Sequence, residues 1–189
     1  MKIFENKVIC IILMVVLIAG GLFVGGAKGL NGLYKDVAEV FFVGIDNDGI
    51  CVANDMSERI SAATNMVTVA RKYESTVPAS CRQAIDYVNT AAASVDSALN
   101  ARDIAEAVAA NKILDTAVAD LYREMGDLSL SDKDEDYRQN LYADFNSRND
   151  TISHDPYNQY AQEYMAALDG FPAGLIAAIM PIKEAAAAY

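Results

Sequence analysis

The sequence of 189 residues contains no tryptophan, one histidine and three cysteines, and its 15 Lys and Arg residues are outnumbered by 26 Asp and Glu residues. The usual zinc signatures need four ligands in paired spacing, which these scattered residues do not supply. Non-specific nucleic-acid binding depends on clustered basic residues, so the net charge of -11 argues against that class of partner. The hydrophobic fraction of 53% is too high for a disordered chain, and we expect one folded domain with at most one appendage.

The longest uncharged stretch extends from Val8 to Ala27. A transmembrane helix needs about 20 apolar residues, rising about 1.5 Å each, to cross the roughly 30 Å hydrocarbon core of a bilayer. We therefore predict a retained transmembrane helix over residues 8–27, preceded by a short flank of residues 1–7. The alternative is a cleaved signal peptide, although the apolar part of a signal peptide is usually only about 7–15 residues long.

The charges around this stretch favour neither orientation strongly, because two lysines before it are matched by two after it: Lys2, Lys7, Lys28 and Lys35. The free amino terminus tips the balance towards an extracytoplasmic domain. Without the charged residues of the flank, the basic residues number 15 less 2 and the acidic residues 26 less 1, a net charge of -12. We expect such a domain to stand off an anionic membrane surface apart from its tether.

Four later segments place apolar residues at steps of three and four, the spacing of one helical face, beginning at Met56, Cys81, Ala107 and Tyr137. Turn-forming residues separate the segments at 46–49, 76–78, 100–103 and 126–131. No segment alternates with a period of two, so we predict an all-α protein. It consists of a connector over residues 28–49, with a short helix at about 34–42, and an antiparallel four-helix bundle over residues 50–189.

The fourth segment has the most specific helix start. Ser131 and Asp134 have the spacing of a capping box in an acidic form. The apolar stripe that follows consists of Tyr137, Leu141, Phe145 and Ile152. We expect a helix that begins near Ser131 and buries this stripe.

The most patterned stretch is 155–177, where one helical face carries Tyr157, Ala161, Tyr164 and Leu168. Phe171 extends this face, and Pro172 then interrupts the helix. Asp155 is placed to cap the helix, with a proline tolerated in its first turn.

Here the sequence resembles the LemA family of bacterial membrane proteins, whose last helix carries a Tyr-Asn, x-x-Val, x-x-Tyr-Asn, x-x-Ile, x-x-Phe-Pro pattern. The chain matches that pattern at Tyr157, Asn158, Tyr164, Phe171 and Pro172 and departs from it at Met165, where the family usually has a second Asn. Upstream, the family's Arg-(x)5-Asn-Leu-Val-(x)5-Tyr element is similar to Arg59, Asn65, Val67 and Tyr73. The resemblance implies a single-pass protein of the bacterial cell envelope with a mostly α-helical domain, and it transfers no catalytic residue.

Three features contain residue types that are found in catalytic, metal-binding or disulfide sites, and each also has a simpler structural interpretation. His154 and Asp155 have the residue types of a general base and the acid that orients it, but adjacent residues rarely face each other. The stretch 44–55 partly matches a calcium loop, yet its first ligand position is a glycine, and a turn rich in Asp and Asn explains it without a metal. We expect Cys51 and Cys81 to be free thiols at opposite ends of neighbouring helices, with Cys81 buried and Cys51 off the apolar face.

We predict a membrane-anchored helical scaffold or protein-interaction module without enzymatic activity or cofactor. The lipid bilayer is the partner of residues 8–27, protein partners contact the domain, and an oligomer is compatible with this organisation. Tyr160, which lies off the shared face of the last helix, is the best candidate for a contact residue. The alternatives are a membrane-linked sensor, with a metal or small ligand at residues 46–55 or between helices, and an enzyme that uses His154.

Overall fold

The computed structural model describes residues 7–73 and 77–188. These residues form α-helices and one turn of 3-10 helix, without a β-strand among them, so the all-α prediction is confirmed. The elements are α1 (Lys7–Val43), the 3-10 turn (Ile45–Asn47), α2 (Val52–Arg71), α3 (Ala79–Asn100), α4 (Ile104–Gly126), α5 (Asp132–His154), α6 (Tyr157–Asp169) and α7 (Ala173–Ile179). Apart from the backbone of Lys7, the flank predicted for residues 1–7 lies outside the described residues, as does Thr76 of the predicted turn at 76–78.

The first helix, α1, is continuous over 37 residues and corrects the predicted connector. The short helix expected at about 34–42 is the end of α1 and not a separate element. The reason is a buried stripe at steps of three and four along the second half of α1, formed by Ala27, Leu30, Tyr34, Val37 and Phe41. Because this stripe packs against the rest of the domain, the helix keeps its register beyond the uncharged stretch.

The first half of α1 has a different environment. Its described large apolar side chains from Ile11 to Val24 are mostly exposed, and Leu17 is exposed over 74% of its surface. By length and composition, α1 is long and apolar enough to cross a membrane. One helix therefore joins an exposed apolar half to a half that belongs to the folded domain.

The four helices α2 to α5 pack on one another, both between consecutive helices and between α2 and α5. α2 contacts both α3 and α5, and α3 contacts α4. The short connection at residues 101–103 makes α3 and α4 a hairpin, and Asp103 caps α4 by accepting a hydrogen bond from the Glu106 backbone N–H. α2 and α5 run in opposite directions, because Tyr73 after α2 contacts Asp134 at the start of α5.

The fourth predicted segment, α5, starts as expected but buries less than expected. Ser131 is its N-cap, with the side-chain oxygen accepting a hydrogen bond from the Asp134 backbone N–H. Phe145 is buried, whereas Leu141 is only partly buried and Tyr137 is exposed. Ile152 is fully buried as well, so of the four predicted stripe residues Tyr137 is the exposed one. α5 packs chiefly against α2 and contacts α4 only slightly.

The C-terminal elements fold back along the second half of α1. Phe41 lies edge-to-face on Tyr157 at a centroid distance of 4.9 Å, and Tyr34 contacts Tyr164 at 6.0 Å. α7 then contacts α1, where Cδ1 of Ile176 fills the space that a Cβ at Gly26 would need. α6 therefore runs antiparallel to α1, and α7 follows it nearer the exposed apolar half of α1.

Candidate functional site

The Tyr-Asn pattern of the last long helix forms a clamp, which we define as Tyr157, Asn158 and Tyr164. It holds the tail, defined as residues 180–188. The Tyr157 hydroxyl donates a hydrogen bond of 2.8 Å to the Ala186 carbonyl, and the Tyr164 hydroxyl donates one of 2.7 Å to the Lys183 carbonyl. The spacing of the pattern thus places two phenol groups along one extended segment.

Asn158 completes the clamp with both ends of its amide. Its Oδ1 accepts a hydrogen bond of 2.9 Å from the Ala188 backbone N–H. Its Nδ2 donates one of 2.7 Å to the Ile152 carbonyl in the last turn of α5. Asn158 is buried, and it links the end of α5 to the end of the tail through one side chain.

Burial governs the chemistry of the clamp. Desolvation raises the pKa of the Tyr157 and Tyr164 phenols, so both remain protonated hydrogen-bond donors at neutral pH. Next to them, Asp155 accepts a hydrogen bond of 2.8 Å from the Tyr157 backbone N–H, as its predicted capping position requires. Desolvation is also the main cause that raises the pKa of Asp155.

The clamp contacts the tail through main-chain atoms. Two tail carbonyls accept from the phenols and one tail N–H donates to the amide, so these bonds do not depend on the side chains of the tail. Among the tail side chains, those of Ala185 and Ala188 are buried. Chemically, the arrangement binds an extended peptide with small side chains, and in this structure the chain's own tail occupies it.

Phe171 and Pro172 lie beyond the clamp, and the expectation for Phe171 is wrong. The helical register places Phe171 on the packed face of α6, but Phe171 is 90% exposed. α6 ends at Asp169, and the extended backbone of Gly170 (φ -77°, ψ 155°) takes Phe171 out of the helical register. We call residues 170–179, which turn the chain from α6 through α7, the apex.

Arg59 is fully buried and pairs with α4. Its Nη1 donates a hydrogen bond of 2.6 Å to Asn111, its Nη2 bonds Asp115, and its guanidinium lies 4.0 Å from the ring centroid of Phe145. Burial lowers the pKa of Arg59, and the charge of Asp115 opposes that effect. Nε has no hydrogen-bond partner among the described residues. Sequence reasoning missed the partner Asn111, although an amide on the apolar stripe of α4 was the available signal.

Tyr73 joins the end of α2 to the start of α5. Its hydroxyl donates a hydrogen bond of 2.8 Å to Asp134 and accepts one of 2.9 Å from the Ser131 backbone N–H. Lys72 donates a hydrogen bond of 2.6 Å to the other oxygen of Asp134. Hydrogen bonds from Lys72 and Tyr73 lower the pKa of Asp134 to about 2. The predicted cap of α5 is therefore completed by a side chain from another helix.

The two remaining motif residues are exposed. Asn65 lines a polar groove between α2 and α5, together with side chains that include Asp144 and Arg148. Tyr160 is exposed, as its position off the packed face of α6 predicts. The structure does not bring Asn65 or Tyr160 to the clamp.

The other candidate chemistry has structural partners. His154 is exposed and its Nδ1 lies 2.9 Å from the Asp150 carbonyl of its own helix. In the calcium-like stretch, the Asp48 side chain accepts a hydrogen bond from the Ile50 backbone N–H, and the described residues contain no group of three or more His, Cys, Asp or Glu placed to hold a metal ion. Cys51 and Cys81 are free thiols, but Cys51 is buried at the N-cap of α2, contrary to its expected place off the apolar face.

The predicted motif residues therefore fall in several places: Arg59 between α2 and α4, Tyr73 between α2 and α5, the clamp along the tail, and Phe171 and Pro172 at the apex. The clamp is the one place where several of them meet. No protein-family model, curated protein or solved structure matches the chain.

Proposed function

We propose that the chain is a single-pass membrane-anchored helical module that acts through protein contacts and has no enzymatic activity. The observation that carries this proposal is the division of α1. Its first half is apolar and exposed, whereas its second half contributes a buried stripe to the domain. A helix that is hydrophobic on all sides belongs in a protein core or a membrane, and the described residues of the chain leave this half largely uncovered.

Placing residues 8–27 in a bilayer removes those side chains from water. Exposed apolar surface costs about 25 cal/mol per Å² relative to burial, so a run of Leu, Ile and Val side chains gains many kcal/mol in hydrocarbon. α1 then continues into the domain without a joint. We infer that the anchor and the domain move as one body, with the domain on the extracytoplasmic side.

The role as an interaction module rests on how the motif residues are used. Arg59, Tyr73 and the clamp are engaged in bonds that hold helices and the tail together. Their positions account for the spacing on which the LemA resemblance rests, which supports membership of that family and of the bacterial cell envelope. The opposed directions of α2 and α5, and of α3 and α4, support the four-helix bundle. Exposed Tyr160 is the proposed protein-contact residue.

A charge placed in the span tests the membrane anchor. Lys at the centre of a membrane helix costs about 2.5–3.5 kcal/mol on insertion scales, so the double variant Val16→Lys and Leu17→Lys is expected to leave the membrane fraction on alkaline carbonate extraction. Leu33→Lys is the matched control, because Leu33 is an exposed apolar residue of the same helix outside the span. Equal retention of both variants contradicts a span at residues 8–27.

A photo-crosslinking residue tests the protein contact in cells. Tyr160 and Tyr87 are comparably exposed, at 42% and 40%, and lie on different helices. We expect a benzoylphenylalanine at position 160 to give discrete higher-mass adducts of the full-length protein, and the same residue at position 87 to give none. Equal patterns at the two positions contradict a partner-specific surface around Tyr160.

A further inference from the structure

We propose that the apex docks into the bilayer interface beside α1, so that the domain contacts the membrane at two places. This inference rests on the proposed membrane span. The apex connects α6 to the tail; α6 packs on the second half of α1, and the tail reaches it where Lys183 lies over the Tyr34 ring. The chain therefore descends along α1, turns at the apex and returns.

The position of the turn along α1 coincides with the end of the proposed span. Ile176 of α7 packs at Gly26, next to Ala27, the last residue of the uncharged stretch. Ala27 is also the first residue of the buried stripe of α1, whereas the side chains from Ile11 to Val24 are mostly exposed. The apex thus lies at the level where α1 passes from the membrane into the domain.

The apex turns one apolar face outward. Phe171, Leu175 and Ile179 are 90%, 50% and 63% exposed, and they are spaced four residues apart. Ile176 is buried against α1, so α7 has one side on the domain and another side that no element within residues 7–73 and 77–188 covers. Leu175 and Ile179 lie four residues apart on one face of α7, which consists of apolar residues, and Phe171 lies in the turn just before it. The three exposed side chains therefore suit insertion at the bilayer interface.

The charge pattern favours lipid as the occupant of this face. Residues 170–182 carry no charged side chain, and the segment is bounded by Asp169 and Lys183. Lys28 is exposed one residue beyond the uncharged stretch of α1, at headgroup depth if that stretch spans. A protein interface usually surrounds its apolar centre with a polar rim, whereas the whole segment 170–182 is free of charge and lies level with the end of the uncharged stretch of α1.

Tethering makes docking of so short a helix feasible. A free helix of seven residues buries too little surface to bind a membrane firmly, because binding strength follows the apolar area buried. α1 already holds the apex at the bilayer surface, so docking is an intramolecular step with a high effective concentration. The three exposed side chains then need only insert beside the span.

The absence of tryptophan from the sequence allows a direct test with single-tryptophan variants of the full-length protein. The protein is reconstituted at low density in phosphatidylcholine vesicles with or without bromine on the acyl chains. Phe171→Trp is expected to lose at least half of its emission in brominated vesicles and to emit at shorter wavelength than Tyr87→Trp, which serves as the exposed control on α3. Leu175→Trp is a second probe of the same face and is expected to behave like Phe171→Trp.

A tryptophan in the span separates the two proposals. Quenching of Leu17→Trp without quenching of Phe171→Trp and Leu175→Trp overturns apex docking and leaves the membrane anchor in place. No quenching of any of the three overturns the anchor as well. If the apex probes are shielded from aqueous acrylamide but not quenched by bromine, and the shielding grows with protein density, a second copy covers the face and lipid docking is wrong.

Discussion

At the scale of single residues, Arg59 combines a buried charge with two polar partners on α4. Replacing the guanidinium by the single ammonium of Lys removes the fork that reaches both Asn111 and Asp115. Breaking a buried charged interaction of this kind costs about 3–5 kcal/mol when one partner is left unpaired. Because Lys retains the charge and Asp115 is partly exposed, we expect Arg59→Lys to cost less, about 1–3 kcal/mol.

The measurement is urea unfolding of the detergent-solubilised full-length protein, followed by far-ultraviolet circular dichroism. Arg71→Lys is the control, because Arg71 is an exposed arginine near the end of the same helix. An unfolding midpoint of Arg59→Lys equal to that of Arg71→Lys contradicts the role assigned to the pair on α4.

Asp134 gives the junction of α2 and α5 a defined pH dependence. Lys72 and Tyr73 lower the pKa of Asp134 from 3.8 to about 2 in the folded protein, so the folded state binds this proton less tightly than the unfolded state. The stabilising contribution is therefore complete above pH 3.8 and is lost as the pH falls towards about 2. We expect the difference in urea midpoint between the wild type and Asp134→Asn to shrink over that interval.

Two features of α5 make this measurement specific. Glu135 also has a pKa lowered to about 2, by Arg138, but it is present in both proteins and cancels in the difference. Asp132→Asn is the matched control, since Asp132 is an exposed acid of the same first turn. A difference between wild type and Asp134→Asn that is constant over the whole interval means that Asp134 does not titrate as proposed.

At the scale of elements, the clamp is expected to control how often the tail opens. Tyr157→Phe removes one hydroxyl that bonds the tail and keeps the ring against Phe41. A neutral hydrogen bond contributes about 0.5–1.5 kcal/mol, which corresponds to an increase of roughly 2- to 13-fold in tail opening. Hydrogen exchange of the Ala188 backbone amide, which bonds Asn158, measures this opening.

The same chemical change on an exposed position of α6 is the control. Tyr160→Phe removes a hydroxyl from a side chain that lies off the packed face, and we expect no change in exchange at Ala188. If the Ala188 amide exchanges at the same rate in Tyr157→Phe and in Tyr160→Phe, the clamp does not hold the tail.

The elements also show which features a sequence can predict. The joints at 100–103 and 126–131 and the cap at Ser131 were predicted correctly, because Gly, Asp and Ser act on the backbone nearby. The continuity of α1 was not predicted, because it depends on packing against α6 and α7, which lie more than 100 residues away in the sequence. The pair of Arg59 with Asn111 spans 52 residues, and helical spacing does not say which polar residues of two stripes meet.

At the scale of the whole molecule, charge and apolar surface are separated along α1. One end offers the uncharged stretch 8–27 and the apex, whereas the chain beyond its N-terminal flank has a net charge of -12 from the 15 less 2 basic and 26 less 1 acidic residues. If the proposed anchor and apex docking hold, apolar contacts attract the domain to a bilayer and its acidic charge repels it from anionic lipid. Which effect dominates depends on the ionic strength, because salt sets the distance over which the charges act.

This competition predicts a salt effect on apex docking. At about 0.01 M salt the Debye length is about 30 Å, so acidic groups throughout the domain repel an anionic bilayer. At about 0.15 M it falls to about 8 Å, and the charged residues that bound the apex and the uncharged stretch of α1 in the sequence are Asp169, Lys183 and Lys28, which are not acidic in sum. Bromolipid quenching of Phe171→Trp is expected to be weaker on anionic than on zwitterionic vesicles at the lower salt and equal on both at the higher salt.

Leu17→Trp is the control for this measurement, because a residue in the middle of a span stays quenched whatever the surface charge. Loss of quenching for Phe171→Trp on anionic vesicles at about 0.15 M salt contradicts the prediction. At that salt concentration only acidic groups within about 8 Å of the bilayer repel it strongly, so such groups then lie at its surface. That result means that an acidic surface of the domain, and not the apex, faces the membrane. Equal quenching at both salt concentrations means that the apolar contact outweighs the repulsion of the entire acidic domain.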